Sequence, residues 1–290
     1  MTIRSTLRPD CSNCFALCCT ALGFTRTADF AIEKPAASAC PNMADDFSCT
    51  IHQSLRPRGF RGCTVFDCFG AGQLVSQHTY TGISWREDPA SASGMFAVFK
   101  VVRQLHEMLW YLDEARQRAF DPGLAAEADH LSDRISAIAQ GSAPTVLGAD
   151  VETLHGEVRT LLMEVSEEVR ASYGAEDPQR PDAGLQPGAD LMGAELANLQ
   201  LCGADLRGAY LIGANLSGSD LAAVDLLGAD LRGARLHGAD LSTSLYLSQP
   251  QINAADGDVG TLLPPQLTRP SHWQQGTGGR DQGRDQGGRD

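Results

Sequence analysis

From Ala189 to Ser248 the chain repeats every five residues, as in GADLRGAYLIGANLSGSDL, and this period limits the fold more than any other feature. Leucine stands at 191, 196, 201, 206, 211, 216, 221, 226, 231, 236 and 241, and Tyr246 closes the series. Two residues before each centre is a small or modest side chain, Ala in eight of the twelve cases, and Gly dominates two residues after it. A period of five fits neither the 3.6 of an amphipathic helix nor the 2 of a strand. Glycine at this frequency would also destabilise a helix by about 1 kcal/mol each time. The chain must therefore turn at regular small residues while stacking leucine inside.

This A(D/N)LxG pattern resembles the pentapeptide-repeat family over residues 189–248. The resemblance implies a right-handed, four-sided β-helix with four pentapeptides to a coil, so that twelve repeats give about three coils. It also implies that each central Leu and the Ala before it point inward while the Asp, Asn and Arg positions face water. The following stretch, LYLSQPQINAADGDVGTLLPPQLTRPSHW, looks like the C-terminal cap of actinobacterial members of that family. A solenoid needs such a cover for its last open coil. Gln249 to Ala255 is expected to supply a short helix, with Leu262, Leu263 and Trp273 packing back on the stack.

Upstream, the period becomes helical from Met95 to about Arg170. Val98, Val101, Val102, Leu105, Met108, Leu109 and Leu112 form one apolar stripe. Asp121-Pro122 is an N-cap and first-turn pair, and Leu124, Ala128, Leu131, Ile135 and Ile138 form a second stripe. After the break GSAPT (141–145), Val151, Leu154, Val158, Leu161, Leu162, Val165 and Val169 form a third. Three amphipathic helices with short connections predict a bundle, with its acids on the outer faces. Residues 174–188 read as a Pro- and Gly-rich linker, and GTGGRDQGRDQGGRD as a low-complexity disordered tail.

The N-terminal segment carries Cys11, Cys14, Cys18, Cys19, Cys40, Cys49, Cys63 and Cys68, eight of the nine cysteines of the chain. Core packing does not call for eight thiols in so short a stretch. Disulfides are disfavoured, because Cys18 and Cys19 pair with each other only under strain and MTIRSTLRPD lacks the apolar run of a secretion signal. Metal ligation accounts for the clustering, since neighbouring thiolates repel unless a cation neutralises them. The stretches CSNCFALCC and ACPNMADDFSCTIHQSLRPRGFRGC resemble the CxxCxxCC family of zinc- or iron-chelating domains over residues 11–68. The first run is one residue longer than that pattern between Cys14 and Cys18, and His52 stands where the family has Tyr. All-sulfur ligation suits two zinc ions with four thiolates each or one iron–sulfur cluster with thiols to spare. His52 is a further candidate ligand.

The whole reads as a multidomain α+β protein. It comprises a Cys-rich metal-binding module (1–85), an acidic helical bundle (86–173), the linker, a short quadrilateral β-helix (189–248), a cap (249–273) and a tail (274–290). Residues 86–182 hold 18 acids against nine bases, a balance that disfavours direct nucleic-acid binding. No run of about 18 apolar residues would span a membrane, and the expected location is cytoplasmic. Gly70-Ala71-Gly72 lacks the third glycine of a dinucleotide loop and reads as a turn. No phosphate loop or nucleophile elbow appears. His106 and Trp110 share a helix face and read as core. The expectation is a metal-binding interaction or regulatory module with a protein partner. The alternative is an iron–sulfur enzyme or redox partner. A third reading, the DNA mimicry by which some pentapeptide-repeat proteins bind gyrase, is disfavoured by three coils of about 4.8 Å each.

Overall fold

The structure, a computed structural model, describes residues 3–173 and 184–275. It divides into two compact units, Met1–Ser172 and Tyr173–Asp290. The linker expected over 174–188 and the tail expected from 274 lie mostly outside the described residues.

In the first unit, α1 (Ile3–Thr6), α2 (Leu17–Ala21), α3 (Arg61–Thr64) and α4 (Ala71–Gln73) are short. A six-residue π-helix, Leu74–Thr79, continues from α4. The long elements are α5 (Ala92–Arg118), α6 (Pro122–Ala139) and α8 (Val151–Ala171). The carboxylates of Asp121 and Asp150 accept from the N–H groups of Gly123 and Thr153, satisfying donors that a helix start leaves open. The predicted stripes face inward: Val98, Val102, Leu105, Leu131, Ile135, Val158 and Val165 are buried where α5, α6 and α8 pack. No helix among the described residues is long and apolar enough to cross a membrane.

Two expectations fail here. The GSAPT break contains a helix of its own, α7 (Ala143–Leu147), because Ser142 accepts from Thr145 N–H and Pro144 suits a first turn. The acids are not all outside. Asp113 and Glu114 are buried, and both pair with Arg4, which fastens α1 to α5.

In the second unit, parallel bridges join residues twenty apart, from Asp190 to Tyr210, Glu195 to Asn215, Gln200 to Asp220 and Asp205 to Asp225, and onward to Asp225 and Leu245. Twenty residues are four pentapeptides, so each coil has four sides. One extended residue per side is all that pairs before the chain turns, and the β component is a ladder of single bridges rather than a sheet of strands. The central leucines are buried, Leu201 to Leu226 fully, and Tyr246 fills the last position of the column. Glycines such as Gly213 and Gly233 take φ of 67° and 66°, the left-handed turn that a Cβ disfavours. Asp225 departs from the outward expectation. It is fully buried, accepting from Leu227 N–H at 2.9 Å with the Arg207 guanidinium 3.6 Å away.

The cap begins at α9 (Gln249–Ala254), where Ser248 and Gln251 form a capping box. Asp256 and Leu262 bridge to Arg235 and Asp240, extending the ladder past the last repeat. Trp273 is buried and donates from Nε1 to the Ala255 carbonyl at 2.9 Å. Leu262, expected to pack inward, is 51% exposed, because its backbone and not its side chain joins the stack.

Candidate functional site

The N-terminal arm reaches the helices through a few long-range hydrogen bonds. Asp10 caps the 3-10 turn Cys11–Asn13 by accepting from Ser12 N–H. Its own N–H donates to Gln73 Oε1 at 3.1 Å, and Gln73 Nε2 donates to the Arg8 carbonyl. Phe15 is held at both ends of its backbone: its N–H donates to Ser76 Oγ, and its carbonyl accepts from Trp85 Nε1 at 2.8 Å. Cys14, Cys18 and Cys68 pack against a hydrophobic cluster that includes Leu17, Val75 and Phe99. The loop before Cys68 is fixed from α5, where Arg103 Nε donates to the Asp67 carbonyl at 3.0 Å and His106 Nδ1 lies 2.7 Å from the Phe69 carbonyl. Phe69 (φ 48°) and Gly70 (φ 76°) then turn the chain, whereas Ala71 and Gly72, read from the sequence as part of that turn, belong to α4.

These constraints bring Cys11, Cys14, Cys18 and Cys68 to the walls of one small cleft, with Asp10, Gly72, Gln73 and Phe99. Gly72 makes the cleft. A Cβ on it would lie 2.6 Å from the Cys14 sulfur and 4.0 Å from that of Cys68. Burial raises the thiols of Cys11, Cys14 and Cys68, that of Cys14 to about 11. Cys18 and Cys19 have sulfurs 3.7 Å apart. Their contact raises Cys18 well above the ordinary thiol value and lowers Cys19 to about 7 against the opposing effect of burial.

The other four cysteines lie outside that cleft. Cys40 N–H donates to the Cys19 carbonyl at 3.2 Å, and Cys49 pairs with Met43 in a short antiparallel bridge. Cys63 is raised to about 12, first by burial and then by the charges of Cys19, Cys40 and Cys49. Lys34 is buried beside this set. Its Nζ donates to the carbonyls of Thr20, Pro35 and Ser38, and its positive charge lowers Cys19. None of the eight thiols is in a disulfide. Among the described residues, no three His, Cys, Asp or Glu side chains stand in a group that could close around a metal ion. The donor chemistry of the thiol cleft matches a soft metal; its sulfurs are not drawn into a coordination sphere. His52 is exposed, and its backbone N–H donates to the Cys49 carbonyl at 3.2 Å. Cys202 belongs to the other unit, where it is half-buried.

Sequence reasoning passed over Gly72, Lys34 and Ser76. Their contributions are a missing Cβ, a buried ammonium and a hydroxyl facing Cys14. The glycine pair after Cys68 was the one local signal, and it reads as a turn until the sulfur of Cys14 is seen beside it.

Residues 209–244 match the family described as Pentapeptide repeats, in eight copies. A Bacillus subtilis (strain 168) protein, Uncharacterized protein YybG, is 47% identical over 272 residues, which cover 94% of this chain and 96% of that relative. The crystal structure of alr5209, a pentapeptide repeat protein from Nostoc, is 29% identical over 37% of this chain and 94% of its own, with a TM-score of 0.23.

Proposed function

This chain belongs to the same family as YybG of Bacillus subtilis and carries pentapeptide repeats, and from that premise we propose that it is a metal-binding interaction or regulatory protein. The observation that carries the proposal is the convergence of Cys11, Cys14, Cys18 and Cys68 on one cleft built around Gly72. Four unpaired thiols from distant points of the chain, with no Cβ allowed between two of them, are a donor set for zinc or for an iron–sulfur cluster. Cys19, Cys40, Cys49 and Cys63 form the second donor set in this reading. A bound ion or cluster would supply a cross-link between the arm and the Cys68 loop, and a cluster would add one-electron chemistry. Within the protein, Ser76 and Gly72 seat Cys14, Lys34 offsets negative charge at Cys19, and α5 holds the Cys68 loop through Arg103 and His106. The β-helix is the docking surface in the same reading, since its repeats present a rigid polar exterior.

Anaerobic purification of the full chain with elemental analysis and visible spectroscopy tests this. Zinc or iron should co-purify and be diminished in Cys14→Ser but not in Cys202→Ser. Absorption near 400 nm would assign a cluster, and colourless zinc-loaded protein would assign the non-redox form. A metal-free chain that takes up neither metal on reconstitution would overturn the proposal.

A further inference from the structure

A second, larger cleft of about 480 Å³ lies in the first unit and shares Asp10 and Gln73 with the walls of the thiol cleft. Its volume is in the range that holds small organic molecules. The arm contributes Leu7, the π-helix Leu74, α5 Leu109 and His106, and α6 Ser136, with Gln140 just past its end. A π-helical turn is an uncommon element that recurs at functional sites.

His106 is the distinctive group in this wall. It is 6% exposed, and its Nδ1 faces the Phe69 carbonyl at 2.7 Å. A carbonyl oxygen only accepts, so Nδ1 carries the proton and Nε2 holds a lone pair. Burial lowers the pKa of the ring and keeps it neutral. Nε2 has no protein hydrogen-bond partner among the described residues, which leaves its lone pair to whatever occupies the cleft. The turn that aims the Phe69 carbonyl at this ring holds a non-glycine residue at φ 48°, a conformation that surrounding structure must enforce.

The remaining lining says what would not bind. No Lys or Arg lines the cleft, which removes the usual support for phosphate or carboxylate. The Asp10 carboxylate is occupied by Ser12 N–H, Ser12 Oγ and Asn13 Nδ2, and both ends of the Gln73 amide are used. What is left is a mostly apolar hollow in which the buried His106 ring presents an acceptor with no protein partner, with Gln77, His78, Ser136 and Gln140 also in the wall.

We propose that this cleft binds a small uncharged organic molecule with an apolar body and one hydrogen-bond donor, which His106 Nε2 accepts. The inference stands apart from the metal proposal, because none of its residues is a thiol. The test uses the full chain as purified, with its metal content recorded, and phenol and anisole as probes, matched rings with and without an O–H. Histidine nitrogen NMR should show His106 Nε2 shifting saturably with phenol, and phenol should bind about ten-fold tighter than anisole, the worth of one hydrogen bond. Ser136→Phe, which fills the cleft from α6 and leaves His106 in place, should abolish the titration without changing the metal content. His106→Phe should remove the preference for phenol. Equal binding of the two probes, absence of binding by both, or a titration unchanged in Ser136→Phe would each overturn the proposal.

Discussion

Loading the reduced, metal-free chain with zinc at pH 7 should release protons, and their number reports which thiols take part. Burial is the first cause that raises Cys11, Cys14 and Cys68, and Cys18 is raised chiefly by its contact with Cys19. These four are therefore protonated at pH 7, whereas only thiolates ligate. Binding through all of them displaces about four protons per ion. A bound cation would hold the ligating thiols far below their free pKa values. Metal-linked stability is thus fully present well above neutral pH and is lost as the pH falls. Below pH 8 each unit should weaken binding by up to about 10⁴-fold, or about 5 kcal/mol at 1.36 kcal/mol per proton. On the Cys19 set, Cys19 itself should release less than a full proton, because its contact with Cys18 lowers it. Calorimetric titration in two buffers of different ionisation enthalpy counts the protons. Release of one proton or fewer per ion, or a count unchanged when Cys14 and Cys68 are both replaced by Ser, would refute the assignment.

Gly72→Ala places a Cβ 2.6 Å from the Cys14 sulfur and should sharply reduce metal retention. Gly156→Ala, with nothing within 4 Å on a regular helix, should instead raise stability by up to about 1 kcal/mol; equal metal content in the two variants would contradict the role given to Gly72. Leu216→Ala should destabilise the β-helix by about 2–5 kcal/mol in denaturant titration, and an unchanged midpoint would show that the leucine column is not its core. Iodoacetamide at pH 7 should label Cys19 of the metal-free chain ahead of Cys63, by peptide mass mapping, although Cys63 is the more exposed; the reverse order would refute the lowered Cys19 value. Chelation should speed amide exchange in residues 22–63 and leave 189–248 protected, and uniform exchange across both would deny the first segment its dependence on the thiols.

The β-helix was legible because every coil repeats the same local instruction: small residue, Leu, turn. The side of each residue follows from its place in the five, and the cap was legible in outline from the end of the series. Departures arise where partners come from another coil. Asp225 occupies the same register as exposed Asp190, but Arg207 from the coil below sits against it. Leu262 looks like a core residue and is used only for its backbone. The long helices were legible from their stripes and caps, while α7 was hidden in a segment whose Gly and Pro signal a break. At the thiols, the sequence shows that they cluster and not how they divide. Cys18 and Cys19 are neighbours in the chain, yet Cys18 faces Cys11, Cys14 and Cys68 whereas Cys19 lies with Cys40, Cys49 and Cys63. The two groups adjoin at this pair, whose sulfurs are 3.7 Å apart.

The two units solve the problem of order differently, and this bears on what the thiols are for. The β-helix buries a leucine on nearly every side of every coil. Between Leu22 and Cys63 the chain has only Ile51, Leu55 and Phe60 as a buried cluster of its own, with Phe24, Phe30 and Ile32 half-buried around it. Three buried side chains are too few to offset the backbone entropy of so long a segment. Its other ties are Phe47 against Phe15 and Trp85, Lys34 gathering three carbonyls, and Arg86, which reaches the Ala44 and Asp45 carbonyls while lying over Phe47 and Trp85. Cys40, Cys49 and Cys63 are spread along this same segment, at the places where it folds back toward Cys19. A cross-link through sulfur at those points would close its loops where the hydrophobic core is smallest. That placement favours a structural ion at the second set, and it leaves the Cys11 set, which packs on a full hydrophobic cluster and adjoins the large cleft, as the better placed of the two for any chemistry.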